Sequence, residues 1–244
     1  MYNTKSLLYR CEQIIRDIAN DVALRITDKP FLKTVTHRLK FENETDWNVL
    51  CSLMDVLGDT ELAKENFLKF DLSGPTKIED YGEQYLRLYG IVNAIYLQKS
   101  ALISFVELIK LKNKKILVAK LDNLKIMELR HIVGAHTIDF IDNGKKNPHQ
   151  IQRGSLANYP IKTSDSKGNY KEYDLKKLLL EYNAVAEELL INATDKFIST
   201  VFKNGGQKLT TYKDRFEAIK SEKSGAIVVY SVGSSQPITI MIVK

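Results

Sequence analysis

The sequence predicts a mainly α-helical protein, an antiparallel helical bundle with an extra N-terminal helical portion and a small C-terminal β-hairpin. Apolar residues recur at three- and four-residue steps through most of the chain, the period of a helix that buries one face. Two β-branched runs are confined to the C-terminal end. The composition supports a real core, at 44% hydrophobic and 27% charged residues with only 12 Gly and 5 Pro in 244 residues.

The elements follow in order. Tyr2 to Thr27 places Leu7, Leu8, Cys11, Ile14, Ile15, Ile18 and Val22 on one stripe, and Asp28-Lys29-Pro30 stops it. Thr45 or Asp46 caps a second helix through Trp47, Leu50, Leu53, Met54 and Leu57, which Gly58 should end. Ser73-Gly74-Pro75-Thr76 breaks the chain before the longest pattern, from about Glu79 to Leu111, with Tyr81, Tyr85, Leu88, Val92, Ile95, Leu102, Val106 and Ile109 in line. After a lysine-rich turn at Lys112 to Lys115, another helix is predicted from Ile116 or Asp122 to Ile141. The helical period is absent from Asp142 to Tyr173, a Gly- and Pro-marked stretch that reads as a loop, functional or disordered. Asp174 opens a helix reaching about Phe202, which Gly205-Gly206 closes. Ala226 to Val232 and Pro237 to Val243, parted by Gly233-Ser234-Ser235-Gln236, read as a terminal hairpin. The expected organisation is one elaborated domain over 1–244, with a bundle core at 79–203, an N-terminal extension at 1–72 and a β-rich tail at 224–244. No internal repeat is visible.

Several function classes are disfavoured. Apolar stretches such as Ala101 to Ile109 are interrupted well before the roughly 20 residues of a bilayer span. The N-terminus lacks a signal-peptide core, so a cytoplasmic protein with no membrane partner is expected. Cys11 and Cys51 stand far from any second Cys or His at ligand spacing, so no disulfide, no metal and no cofactor are expected. Charge is uneven. The chain carries +6, yet Lys110 to Lys177 alone holds fifteen Lys and Arg against seven Asp and Glu, leaving the remainder slightly acidic. Lys112, Lys114, Lys115, Lys145 and Lys146 are the candidate phosphate contacts, because counterion release would favour RNA on such a patch. Taken one by one, the same lysines would equally serve to solubilise turns.

Chemistry is concentrated in LRHIVGAH, Leu129 to His136. His136 titrates near neutrality and could take a proton from a ribose 2′-hydroxyl or give one to a departing 5′-oxygen. Arg130 stays charged and could hold the scissile phosphate. His131, between them, could orient a partner or contact phosphate. On a straight helix Arg130 lies about 120° from His136 around the axis. Convergence requires that the Arg side chain wrap across the groove, that the helix be distorted near Gly134, or that a second copy complete the site; the last option favours a homodimer. A histidine on an apolar stripe also suits a buried, carbonyl-bonded role.

The order Arg130, polar His131, four residues, His136 resembles the active-site signature of the HEPN superfamily. The resemblance covers about half of the chain, and only this segment of it is specific. It implies a HEPN-like bundle and a metal-independent endoribonuclease with Arg130, His131 and His136 as its catalytic residues, leaving a 2′,3′-cyclic phosphate and a 5′-hydroxyl. Relatives with roles in defence or as toxins imply an antitoxin or other protein partner. The alternative is a non-catalytic HEPN-like module that binds nucleic acid, a nucleotide or a protein, or a plain interaction domain.

Other candidates are weaker. His149 and Arg153, with Tyr159 and Tyr170 nearby, combine a titratable group, a cation and faces for base stacking, against the reading of a solvated loop. Tyr81, Tyr85, Tyr89 and Tyr96 resemble a stacking series, but their helical spacing points to core packing. The tail lacks the Lys-Ser/Thr pair of a phosphate loop, and Glu187-Glu188 and Asp139 with Asp142 make no metal site by spacing alone.

Overall fold

The computed structural model describes all residues except 1–5, 28–29, 77, 136–137, 139, 143, 158–159, 224–226, 231–236 and 241–244, and describes the backbone alone at 135, 142, 227–230 and 237–240. It is mainly helical. Eight α-helices occur among the described residues: α1 (Leu7–Ala23), α2 (Phe31–Leu39), α3 (Asp46–Phe70), α4 (Tyr81–Leu108), α5 (Lys114–Asp122), α6 (Lys125–Leu129), α7 (Leu175–Val201) and α8 (Gln207–Lys223). A π-helical turn, Arg130–Ala135, continues α6. Strands β1 (Ile141–Asp142) and β2 (Lys145–Lys146) form a short hairpin, and β3 (His149–Ile151), β4 (Ile161–Asp165) and β5 (Tyr170–Tyr173) form an antiparallel sheet in that order. The terminal hairpin pairs β6 (Ile227–Tyr230) with β7 (Pro237–Ile240), Ile227 opposite Ile240.

The chain divides into two compact units, one of Met1–Gly58, Ala101–Lys114 and Glu187–Lys244, the other of Asp59–Ser100 and Lys115–Ala186. In the first, Ser6 caps α1 by accepting from the Tyr9 amide at 3.1 Å. The α1 stripe buries Leu8, Cys11, Ile14, Ile15 and Ile18. Helix α8 runs antiparallel to α1, as its ion pairs record: Arg10 with Glu222, Asp17 with Arg215 at 2.7 Å, and Asp21 with Lys208 near the other end. The Tyr212 hydroxyl also donates to Asp21, at 2.8 Å. Phe105 and Phe216 are fully buried, and Phe105 meets Phe197 edge-on at 5.9 Å.

The second unit is organised around a buried polar layer. Lys64 forms an ion pair with Glu61, both side chains 3% exposed. Lys64 Nζ also donates to Gln98 Oε1 at 3.0 Å and Asn183 Oδ1 at 2.8 Å. The Gln98 amide donates in turn to Thr60 Oγ1 at 3.0 Å and Glu61 Oε1 at 2.7 Å. Fully buried Tyr182 lies against Lys64, whose Nζ is 5.7 Å from the ring centre. Burial, and then Glu61, push the Tyr182 hydroxyl well above its ordinary pKa. These residues come from α3, α4 and α7, so one cluster ties three helices. Apolar side chains complete the core, including Leu88, Val92, Ile95, Leu121, Leu129 and Ile161.

Several expectations are corrected. Gly58 does not end a helix; α3 continues through it to Phe70. A lone mid-helix Gly costs about 1 kcal/mol, which burial of Leu50, Leu53, Met54, Leu57 and Phe67 along the same helix offsets. The single helix expected from 116 or 122 to 141 is instead α5, α6 and the π-turn, because Leu124 is extended (ψ 140°). Buried Leu121 and Ile126 are five residues apart, about 140° around a straight helix, and the break lets both face inward. The stretch from 142 to 173 is strand-rich rather than a loop. Ile161 and Thr163 point into the core while Lys162 and Ser164 do not, a β alternation in strands too short to register in the sequence. Helices α2 and α8 were not anticipated. Helix α4 is the one among the described residues long and apolar enough, by length and composition, to cross a bilayer, and half of its most apolar window is buried inside the protein.

Removing Lys64 would strand Glu61 in the interior. Lys64→Met is expected to cost about 3–5 kcal/mol in urea unfolding, and adding Glu61→Gln should recover part of it. A Lys64→Met protein as stable as the parent would show that the layer contributes nothing net. The β4–β5 turn carries a second, pH-dependent expectation. Asp165 accepts from the Asn169 side chain at 2.9 Å and from the Asn169 and Lys167 amides at 2.8 Å, and these bonds hold its pKa at about 2. A depressed carboxyl contributes stability that is complete above its ordinary value near 4 and lost as pH falls through the folded value. Carboxyl NMR should therefore show Asp165 titrating near pH 2, with the turn loosening in step; a midpoint near 4 would contradict the bonding.

Candidate nucleic-acid interface

The motif segment is built on α4. Leu129, Ile132 and Val133 are buried, which turns one side of the π-turn into the core. Gly134 permits the close approach: a Cβ there would lie 3.2 Å from Val92 Cγ2 and 3.5 Å from Asn93 Nδ2. The Asn93 amide itself donates to the Tyr89 carbonyl at 2.9 Å. The helix is thus distorted around Gly134, one of the three conditions under which the sequence allowed the motif to converge. His136 lies outside the described residues, as do Asp139 and Tyr159.

Arg130 is half-exposed, with its guanidinium carbon 4.0 Å above the centre of the Tyr96 ring. Lys99 Nζ lies 5.1 Å from the same ring and pairs with Asp122 at 2.7 Å. Tyr96 therefore serves two cations. Arg130 Nε is buried without a hydrogen-bond partner among the described residues. His131, on the same turn, is half-exposed.

The basic residues are divided between the two units. Lys112 and Lys114 belong to the first unit; Lys112 is exposed, and Lys114 Nζ is 3.7 Å from Glu107. Lys115 is exposed in the second unit, and Lys145 and Lys146 are exposed on β2. Other lysines of the basic stretch are matched to acids: Lys171 to Glu128 at 2.5 Å, Lys162 to Glu172 at 2.8 Å and Lys176 to Asp71 at 2.7 Å. Their charge is largely answered within the protein.

His149 and Arg153 are brought together with the tyrosines of α4. His149 opens β3 and is buried, its ring edge-on to Phe140 at 5.0 Å. Arg153 is exposed, 5.7 Å from the Tyr81 ring centre. An open groove of about 520 Å³ runs between Tyr85 and Tyr89 on one side and Pro148, His149 and Arg153 on the other, with Ile138 at its margin. The core reading of the tyrosine series is corrected here: Tyr81 and Tyr89 are 40% and 39% exposed, while Leu88, Ile91, Val92 and Ile95 form the buried face. Helical spacing was visible in the sequence, but the phase of the tyrosines relative to the buried aliphatic residues decides which side they take. Tyr96, the ring beneath Arg130, was visible only as a member of that tyrosine series, and Lys99, which shares the ring, carried no motif signal of its own. Tyr170 is exposed on β5.

Among the described residues no three His, Cys, Asp or Glu side chains come together as metal ligands. Comparison with known protein families, curated proteins and solved structures gives no match for this chain. The packing of the motif turn is directly testable. Gly134→Val should cost about 1–3 kcal/mol in urea unfolding, because its side chain would press on Val92 in α4. Unchanged stability would mean that the turn does not need close approach.

Proposed function

We propose that this protein is a metal-independent endoribonuclease of HEPN type, with residues 79–203 as a HEPN-like antiparallel bundle and the segment Arg130 to His136 as its active site. The observation that supports this best is the setting of Arg130. Its guanidinium is held on Tyr96 by a π-turn, with Nε lacking a partner among the described residues. π-helical turns are frequent at functional sites, and a buried donor with no partner among the described residues calls for a role that offsets its cost. A phosphate oxygen is the natural acceptor for such a guanidinium.

In the proposed reaction His136 takes the proton of a ribose 2′-hydroxyl. The 2′-oxygen bonds to phosphorus, the bond from phosphorus to the 5′-oxygen breaks, and that oxygen takes up the proton that His136 removed, or one from water with the His136 proton passing to solvent. Arg130 stabilises the charge on the phosphoryl oxygens, and His131 orients the partner or the phosphate. The products are a 2′,3′-cyclic phosphate and a 5′-hydroxyl, and the route uses no metal or cofactor. A homodimer in the cytoplasm, acting on RNA and held in check by an antitoxin-like or other protein partner, completes the reading; the toxin or defence setting comes from resemblance alone. The second reading is an RNA-binding module without cleavage, favoured by the exposed aromatic groove beside the motif turn.

Incubation with tRNA and structured RNAs in EDTA, beside His136→Ala and Arg130→Ala, separates the two. The parent should cleave and leave cyclic-phosphate ends, and each variant should lose roughly 100-fold or more. Binding without cleavage would establish the second reading, and variants as active as the parent would remove the catalytic assignment.

A further inference from the structure

The groove on α4 has a composition that the core does not explain. Tyr81, Tyr85 and Tyr89 follow one another at four-residue steps, about 6 Å apart along the axis and about 40° around it, so they form one continuous surface stripe. The Tyr85 and Tyr89 rings are 5.8 Å apart and inclined by 34°. Two of the three rings are about two-fifths exposed. Placing such rings in water forgoes the burial that stabilises aromatic side chains elsewhere in the protein. Exposed, adjacent aromatic faces suit a ligand with flat faces of its own.

The charge of the surroundings narrows the ligand class. Arg153 lines the groove and lies beside Tyr81, no carboxylate among the described residues lines it, and Lys145 and Lys146 are exposed on the hairpin just ahead of β3. Strand β3, which supplies one wall, packs against the π-turn that carries Arg130. The same face of α4 continues past Tyr89 through Asn93 to Tyr96, the ring beneath Arg130. A strand lying along the tyrosines would therefore be led toward the guanidinium.

We infer that this groove is a base-binding subsite, in which Tyr85 and Tyr89 stack on bases of single-stranded RNA while Arg153, Lys145 and Lys146 hold its phosphates. The inference rests on the ribonuclease reading only for naming RNA as the strand. Stacking needs no particular base, since every base has a face to offer, so the subsite selects unpaired strands rather than a sequence. Double-stranded RNA keeps its bases inside the helix and gains nothing from the tyrosines.

The test uses an end-labelled single-stranded oligonucleotide of 2′-O-methyl nucleotides, which lacks the attacking hydroxyl and cannot be cut. Its binding to the full chain is followed by fluorescence anisotropy. Tyr85→Ala and Tyr89→Ala should each raise Kd roughly tenfold, the order expected for one lost stacked base, whereas Tyr89→Phe keeps the ring and should bind about as the parent does. A duplex of the same sequence should show no dependence on the tyrosines. Unchanged Kd in both alanine variants, or no binding by the parent, overturns the inference. So does a shift from dimer to monomer in the alanine variants without a change in Kd, which would assign the stripe to a second copy of the chain. RNA cleavage in EDTA, measured on the same proteins, keeps the two proposals apart. Tyrosine-dependent binding with no cleavage removes the ribonuclease and leaves the subsite, and cleavage with tyrosine-independent binding does the reverse.

Discussion

A lysine ammonium almost wholly removed from water organises the second unit. Lys64 is tolerated there because every direction it faces offers an acceptor or an aromatic face: Glu61, Gln98, Asn183 and the Tyr182 ring. Desolvating an ion costs several kcal/mol, and only a nearly complete set of partners offsets that. The acceptors come from three helices, so the layer constrains α3, α4 and α7 together in rotation and translation. Apolar contacts alone tolerate sliding far better. In this unit the aliphatic residues around the polar layer contribute most of the driving force.

Helix α4 then serves two purposes from two faces. Leu88, Val92 and Ile95 are buried, and Gln98 joins the polar layer. On its other side Tyr85 and Tyr89 line a groove, and Tyr96 carries Arg130. A rigid helix anchored through its interior face is a good base for a recognition surface, because side chains set on it lose little further freedom on binding. The close approach of Gly134 links the two roles: it lets the π-turn lie against Val92 and so places Arg130 over Tyr96.

Much of the helical architecture was legible from apolar period, and most plainly where the stripe is unbroken. Helices α1, α4 and α7 begin and end close to expectation because their buried faces are mostly apolar, although Glu12, Gln84, Gln98 and Thr194 are buried among them. The second half of α3 escaped notice for the opposite reason. Thr60, Glu61 and Lys64 are buried there, and a pattern reading takes such residues as solvent-facing. Polar α8 was missed in a similar way, since Tyr212, Phe216, Ala218 and Ile219 are few among its charged residues. Strands β3 to β5 are three to five residues long, and pairing across the sheet, which local sequence does not encode, is what makes them strands.

Of the candidate site, residue types and spacing were readable and their surroundings were not. By itself the sequence determined a mainly helical chain, a basic middle segment, and an Arg-His pattern whose members suit phosphate and proton transfer, because these depend on local period and on intrinsic side-chain chemistry. Tertiary structure alone decided that Glu61 and Lys64 are interior, that the motif helix opens into a π-turn, and that Tyr81 and Tyr89 of α4 are exposed, with Arg153 beside Tyr81. Each of these depends on which distant residue supplies the neighbouring atom. Burial, cation–π pairing and helix distortion are properties of contacts, and contacts between segments far apart in sequence exist only once the chain has folded.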